Sequence, residues 1–316
     1  MRALVTGSAG FVGRHMVAEL ESRGYLVQTC DLRYEVGPMD CLDLFRKSDT
    51  RYDLVVHCAF HVGGRAAIDG EPSLLAKNLQ IDSAMFDWAR RTKPGRVLYF
   101  SSSAAYPIDL QALGAANTRY RLQESDVLHA AFEDCPIGEP DARYGWAKFT
   151  GELMAKAARE SGVAVSVVRP FSGYGEDQDQ TYPFRAIVER ARAKEDPFVV
   201  WGPGTQVRDW VHIDDVVEGA LAVVESGTDE PVNLCTGVGT SMLELAKLCC
   251  ERVGYSPEFA PQPDKPTGVL YRVGDPTRFH RWTGLTPKVS LEEGVDRALA
   301  TQPVGTTPPS SSTKGR

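Results

Sequence analysis

The chain has 316 residues, of which 42% are hydrophobic and 24% charged, the make-up of an ordinary globular protein, which excludes wholesale disorder and a coiled coil. With 35 basic and 42 acidic residues the net charge is −7, so nothing pulls the whole molecule toward nucleic acid or an anionic membrane. No apolar run reaches the roughly 18 residues a membrane span needs, and the length suits one large or two modest domains of about 150 residues.

In chain order, residues 3–6 predict a short apolar strand. Residues 11–23 have helical spacing, with Val12, Met16, Ala18 and Leu20 on or near one face. Strands follow at 26–30 and 53–57, a long helix at 73–91, a strand at 96–100, a helix at 144–161 and a strand at 163–168. Apolar strands separated by helices predict an α/β fold with a doubly wound parallel (Rossmann) sheet covered on both faces. After Pro170 the rhythm breaks. Helices are expected at 184–193, 212–225 and 241–253, a turn at Gly202-Pro203-Gly204 and a short strand at 231–234, while the proline-rich stretch 257–266 reads as a loop or edge segment. The expected division is a cofactor domain over 1–172, with 208–236 returning to it, and a smaller C-terminal substrate-binding α/β domain over 173–300. Residues 301–316 are Pro, Ser, Thr and Gly with almost no apolar content, and a disordered tail is expected there.

The seven cysteines, at 30, 41, 58, 135, 235, 249 and 250, are odd in number and contain no CxxC pair. They predict free thiols in a reducing compartment rather than a zinc site or a disulfide framework. The first residues enter a strand directly, with no charged leader or long apolar stretch, so a cytoplasmic location is expected.

Thr6-Gly7-Ser8-Ala9-Gly10-Phe11-Val12-Gly13 closes the first strand and opens the first helix. Gly7 permits a tight turn, Gly10 lets backbone approach a pyrophosphate, and Gly13 allows the helix to pack closely on the sheet. Asp31 ends the second strand, 18 residues beyond Gly13, where a carboxylate meets the adenosine ribose. That carboxylate would repel a 2′-phosphate, so NAD is expected over NADP, with Arg33 opposing the preference slightly.

Tyr144 and Lys148 stand four apart at the start of a predicted helix, which puts them on one face. A tyrosine with an ordinary pKa of about 10 is a poor base at neutral pH, and a neighbouring ammonium favours its phenolate. Phe100-Ser101-Ser102-Ser103 ends the preceding strand, at the edge where a doubly wound sheet meets its ligand. A hydroxyl there suits a substrate oxygen that loses a proton, although a polar strand-end turn would look the same. His57 and His61 are four apart with no third ligand nearby, so no metal site is expected.

With the glycine loop, the tyrosine–lysine pair and the serines in view, the chain resembles the extended short-chain dehydrogenases/reductases, in their nucleotide-sugar epimerase and dehydratase branch. The likeness runs over about residues 1–300. Further details are similar to the GDP-fucose synthase and GDP-mannose 3,5-epimerase families: Val62-Gly63-Gly64, Ser102-Ser103-Ala104-Ala105-Tyr106-Pro107, Val200-Trp201-Gly202-Pro203-Gly204-Thr205, Arg208-Asp209-Trp210-Val211-His212-Ile213-Asp214-Asp215 and Lys265-Pro266-Thr267-Gly268. The resemblance implies a catalytic group of Ser102, Tyr144 and Lys148, with Ser103 as fallback and sugar contact. It implies NAD held by Gly7, Gly10, Phe11, Val12, Gly13, Asp31, Asp40, Cys58, Ala59, Asn78, Tyr144 and Lys148. A nucleotide-diphosphate sugar would meet Ser103, Ser172, Arg208 and Arg272, with His61 near the sugar or a phosphate. A homodimer is implied as well.

The departures from the pattern matter. Enzymes of those two families that invert C3 and C5 carry a cysteine two residues beyond the serine; here that position is Ala104. The synthase histidine expected after Tyr174-Gly175 is missing, since no histidine lies between His129 and His212. The dehydratase Asp-Glu pair is replaced by Ser103-Ala104, and the asparagine usual before Tyr-Gly is Ser172. What is left is the set that oxidises a sugar hydroxyl and returns the hydride. The expectation is therefore an NAD-dependent nucleotide-sugar epimerase acting at C4 through a transient 4-ketosugar. A 4-ketosugar reductase or a sugar-nucleotide oxidase are the alternatives, and an NAD-binding sensor is the non-enzymatic one.

Overall fold

The computed structural model describes residues 1–35, 37–62, 73–117, 119–127, 138–265 and 267–301. In its first half, strands β1 (Arg2–Thr6), β2 (Leu26–Cys30), β3 (Leu54–His57), β4 (Arg96–Phe100) and β5 (Val165–Pro170) alternate with helices. These helices are α1 (Phe11–Ser22), α2 (Cys41–Lys47), α3 (Leu74–Thr92), α4 (Ile108–Ala116) and α5 (Ala142–Glu160). The second half contains β6 (Ser172–Tyr174), α6 (Pro183–Arg192), β7 (Phe198–Trp201), β8 (Val207–His212), α7 (Ile213–Ser226) and β9 (Val232–Leu234). It ends with β10 (Gly239–Ser241), α8 (Met242–Val253), β11 (Phe259–Gln262), β12 (Tyr271–Arg272), α9 (Thr277–Thr283) and α10 (Leu291–Ala300).

The main sheet has the order β2-β1-β3-β4-β5-β9, every pair parallel. Its inner strands β1, β3 and β4 are mainly apolar on both sides because both faces are covered. Met16 and Leu20 of α1 pack with Val216 and Ala220 of α7 on one face; Met85 and Trp88 of α3 pack with Ala155 of α5 on the other. The fold is thus α/β, a doubly wound Rossmann sheet. Its strand order reverses between β1 and β3, and the crevice for a ligand opens outside the carboxyl ends at that point. A smaller sheet, β10-β8-β12 with β6 on β8, and a parallel β7–β11 pair stand beside it over a separate core that includes Phe184, Ile187, Leu245 and Val295.

Several elements differ from expectation. Helices α2, α4, α9 and α10 were not predicted; all are ten residues or shorter, too short for a clear period. His212 ends β8 rather than lying inside a helix, and its Nδ1 accepts from the Asp214 amide at 3.2 Å to cap α7. The proline-rich stretch includes β11, which pairs with β7 alone; Pro261 cannot donate and so sits at an edge. Thr301 closes α10, while the tail expectation for 302–316, Gly63-Gly64, Pro266, His129 and Cys135 lie outside the described residues. Among the described residues no helix is long and apolar enough to cross a membrane.

Candidate active site

The glycine loop runs from β1 to α1 at the reversal of strand order. Gly7 has φ 68°, and a Cβ there would come within 2.5 Å of the Cys58 carbonyl carbon and 2.6 Å of the Ala59 nitrogen. Cys58 and Ala59 therefore wall the loop with their backbones. Gly10 caps α1 without any side-chain hydrogen bond, so the first amides of the helix stay directed at the crevice. A Cβ at Gly10 would stand 3.0 Å from Arg33 Nη2. Phe11 packs its ring against Gly175. Asp31 is buried and accepts from the Ala9 amide at 3.0 Å and from Arg33 through its amide, Nε and Nη2 at 2.9–3.1 Å. Burial opposes ionisation, but the Arg33 and Ala9 hydrogen bonds prevail and hold the carboxyl below its ordinary range.

Ser102, Tyr144 and Lys148 come together at the carboxyl end of β4. Ser102 accepts from the Ala104 amide at 3.1 Å, which starts a 3-10 turn, and its side chain lies close enough to Tyr144 to pull the phenol's titration down. Burial pushes the Tyr144 hydroxyl up, against the Ser102 bond and the Arg272 charge, which pull it down. Lys148 is buried and donates from Nζ to the Phe100 carbonyl at 2.8 Å. Its ammonium lies 3.5 Å from the centroid of the Phe60 ring and 6.0 Å from that of Tyr144. Desolvation pulls it down to about 8, opposed by Asp82, Cys58 and Glu152. Among the charges acting on Tyr144, Arg272 pulls the hydroxyl down, and Phe60 meets both Lys148 and, edge-on at 5.5 Å, Tyr144.

Arg208 and Arg272 are direct partners across the parallel β8–β12 pair, which brings the two guanidinium stems side by side. Arg208 donates to the Val207 and Thr267 carbonyls at 2.8 and 3.3 Å. Arg272 donates to Gln111 Oε1 at 2.7 Å and Asp141 Oδ2 at 2.8 Å. Asp141 is the residue before α5, and its side chain serves Arg272 rather than the helix end. Ala142, next to it, has φ 55°, a left-handed conformation that costs a non-glycine residue about 1–2 kcal/mol. The backbone two residues before Tyr144 is therefore held by its surroundings.

Other predicted residues fall elsewhere. Asp40 caps α2 by accepting from the Leu42 amide at 2.8 Å. Asn78 is buried and spends its amide on the backbone of His61, accepting from its nitrogen at 2.7 Å and donating to its carbonyl at 3.0 Å. It thereby shapes a cleft beside Tyr144 that His61, Leu74, Leu75 and Arg143 also line. Ser103 is buried in the 3-10 turn and Ser172 pairs with Trp210 in β6. Sequence reasoning missed Phe60, Asp82, Tyr99, Asp141 and the buried Glu152–Arg169 pair. A helical wheel of α3 would have shown Asp82 on its buried face, four residues after Asn78.

The profile of the NAD dependent epimerase/dehydratase family matches residues 3–235. The chain belongs to that family. Among curated relatives of this epimerase/dehydratase, a dTDP-4-dehydro-6-deoxy-D-allose reductase of Streptomyces bikiniensis is 28% identical over 319 residues, covering 92% of this chain and 94% of that one. GDP-L-fucose synthase of Escherichia coli K12 is 29% identical over 318 residues, covering 93% and 94%. Among solved structures, UDP-glucose 4-epimerase of Thermotoga maritima with UDP-glucose superposes at a TM-score of 0.78 with 26% identity, covering 95% and 97%.

NAD is the family's cofactor, and the loop fits it. The uncapped start of α1, the Gly7 and Gly13 positions where a Cβ has no room, and the buried Asp31 carboxylate form a cradle for a pyrophosphate and a ribose. Bound there, NAD supplies a hydride acceptor or donor.

Proposed function

We propose that this epimerase/dehydratase family member inverts C4 of a nucleotide-diphosphate sugar. The observation that carries the reading is that Ser102 and Tyr144 stand together beside a buried Lys148, in a site where the position of the C3/C5 acid–base cysteine is a buried alanine, Ala104. Ser102 holds the 4-hydroxyl oxygen, and Tyr144 takes its proton and later returns one. Arg208 and Arg272, in register on β8 and β12, take the diphosphate, as two guanidinium forks suit it. Lys148 and the glycine-loop residues hold the cofactor. A homodimer through the long helices α3 and α5 belongs to the same reading, and sedimentation velocity tests it.

A second reading, reduction of a nucleotide 4-ketosugar, is supported by the similarity to the Streptomyces reductase. The Arg33 guanidinium beside Gly10 supports it too, because a cation there would accept the 2′-phosphate of NADPH.

The test is a panel of UDP-glucose, GDP-mannose and dTDP-glucose incubated with the protein and NAD, with sugars read by proton NMR and NADH by absorbance. The expected result is a C4 epimer of one of them with no lasting NADH signal, lost by about 10²–10⁴-fold in Tyr144→Phe. Steady NADH formation would favour an oxidase. NADPH consumption with a 4-ketosugar would favour the reductase. An unaffected Tyr144→Phe would overturn the catalytic assignment.

A further inference from the structure

Lys148 carries an ammonium into a site where it is only 5% exposed, and something must balance it. Among the described residues five titratable groups face it. Cys58 follows β3, Asp82 projects from α3, Tyr99 from β4, and Tyr144 and Glu152 share its own helix. Cys58 is a neutral thiol, because burial pushes it up to about 12. Burial and Asp82 push the Tyr99 hydroxyl well above its ordinary value, and Tyr144 is raised as well, so both are neutral phenols. Glu152 is already neutralised: Arg169 grips it with Nε and Nη2 at 2.8 and 2.7 Å, and the Ser101 hydroxyl donates at 2.5 Å.

Asp82 differs from these. It is fully buried, it accepts from the Tyr99 hydroxyl at 2.6 Å, and it meets His57 Nε2 at 3.2 Å. His57 turns its other nitrogen to Thr6 Oγ1 at 2.8 Å. Among the described residues no arginine or lysine lies within ion-pair distance of Asp82. The space it occupies is made by Gly151, where a Cβ would collide with the Tyr99 hydroxyl and stand 2.8 Å from Asp82 Oδ2. Gly151 is three residues beyond Lys148, on the same face of α5. The carboxylate is thus pressed against the turn of helix next to the lysine, and Tyr99 meets both groups, its hydroxyl donating to Asp82 and its ring centroid 5.3 Å from Nζ.

We propose that Asp82 is a positioning residue, whose buried carboxylate is the counter-charge that keeps the Lys148 ammonium protonated and held against the Phe100 carbonyl, one helical turn from Tyr144. The functional meaning rests on the reading of Lys148 as the active-site lysine. A buried charge without such compensation gives up its proton. After desolvation, Asp82 is the largest influence on this lysine and acts against it.

The test needs no substrate, so it stands apart from the turnover experiment on Tyr144→Phe. The full chain is labelled with ¹³C at lysine Cε, and the Lys148 resonance is assigned with Lys148→Arg and titrated. In Asp82→Asn the midpoint should fall by about one unit or more, a tenfold weaker hold on the proton. Where the asparagine N–H disturbs the Tyr99 hydroxyl and the protein does not fold, Asp82→Thr offers a neutral acceptor and should give the same fall. Tyr99→Phe keeps the charge and should leave the midpoint in place. A folded neutral variant whose Lys148 titrates as in the parent overturns the proposal, as does a Tyr99→Phe shift as large as that of Asp82→Asn.

Discussion

A Cβ on Gly13 would collide with the Gly7 carbonyl oxygen and stand 2.8 Å from its carbon. Both are backbone atoms of a turn that Gly7 holds at φ 68°, so neither yields cheaply. Gly13→Ala should cost about 1–3 kcal/mol, read as a lower urea midpoint at unchanged m, and should weaken NAD binding. Asp31 makes a second prediction at this scale. NAD should bind about tenfold or more tightly than NADP, since a 2′-phosphate beside a buried carboxylate costs at least ~1.4 kcal/mol. Arg33→Ala should widen the gap because Arg33 screens that carboxylate; isothermal titration with both nucleotides checks it, and tighter NADP binding in the parent protein contradicts it. The glycines and Asp31 were legible because their constraints lie in one short segment with fixed spacing. Asp82 was not, since its meaning comes from His57, Tyr99 and Gly151, 17 to 69 residues away.

Helix α5 carries most of the site. It presents Tyr144 and Lys148 to the crevice, and one turn on it buries Glu152 against Arg169 of β5, both side chains at most 1% exposed. Removing one partner of such a pair leaves the other charge buried. Glu152→Gln should therefore destabilise the protein by about 3–5 kcal/mol, measured by denaturant unfolding. The two arginines of the smaller sheet should behave differently. Arg208→Ala should weaken nucleotide-sugar binding by about 2 kcal/mol with little effect on stability. Arg272→Ala should do the same and also lower the melting temperature, because the Arg272–Asp141 bond at the start of α5 is lost. Equal melting temperatures for the two variants would contradict the reading of the Arg272–Asp141 bond. The tyrosine–lysine spacing made this helix legible, whereas its anchoring by Arg272 joins residues 131 apart and has no local signature.

Across the whole molecule, the parallel sheet and the longer helices on it were readable because most of its strands are separate apolar runs, whereas the short α2 and α9 were not. The smaller sheet was not: β6, β10 and β12 are two or three residues long and exist through pairing with β8. One tie between the glycine-loop helix and the second half is Asp177, which accepts from Arg14 Nε at 2.7 Å and meets His15 Nε2 at 3.1 Å. Burial raises its carboxyl, but the His15 and Arg14 bonds overcome this and hold it well below the usual range. A depressed folded pKa gives stability that is complete above the unfolded value near 4 and is lost as pH falls through the folded one. Asp177→Asn should thus cost about 1 kcal/mol at neutral pH, since the partners are about a third exposed. The difference from the parent should close in strong acid, as thermal melts at each pH would show. The most direct test of the central claim uses a nucleotide sugar deuterated at C4. A hydride that leaves and returns to one carbon keeps the label at C4 of the inverted product, with no solvent deuterium at C3 or C5. Loss of the C4 label, or solvent deuterium at C3 or C5, would contradict C4 inversion.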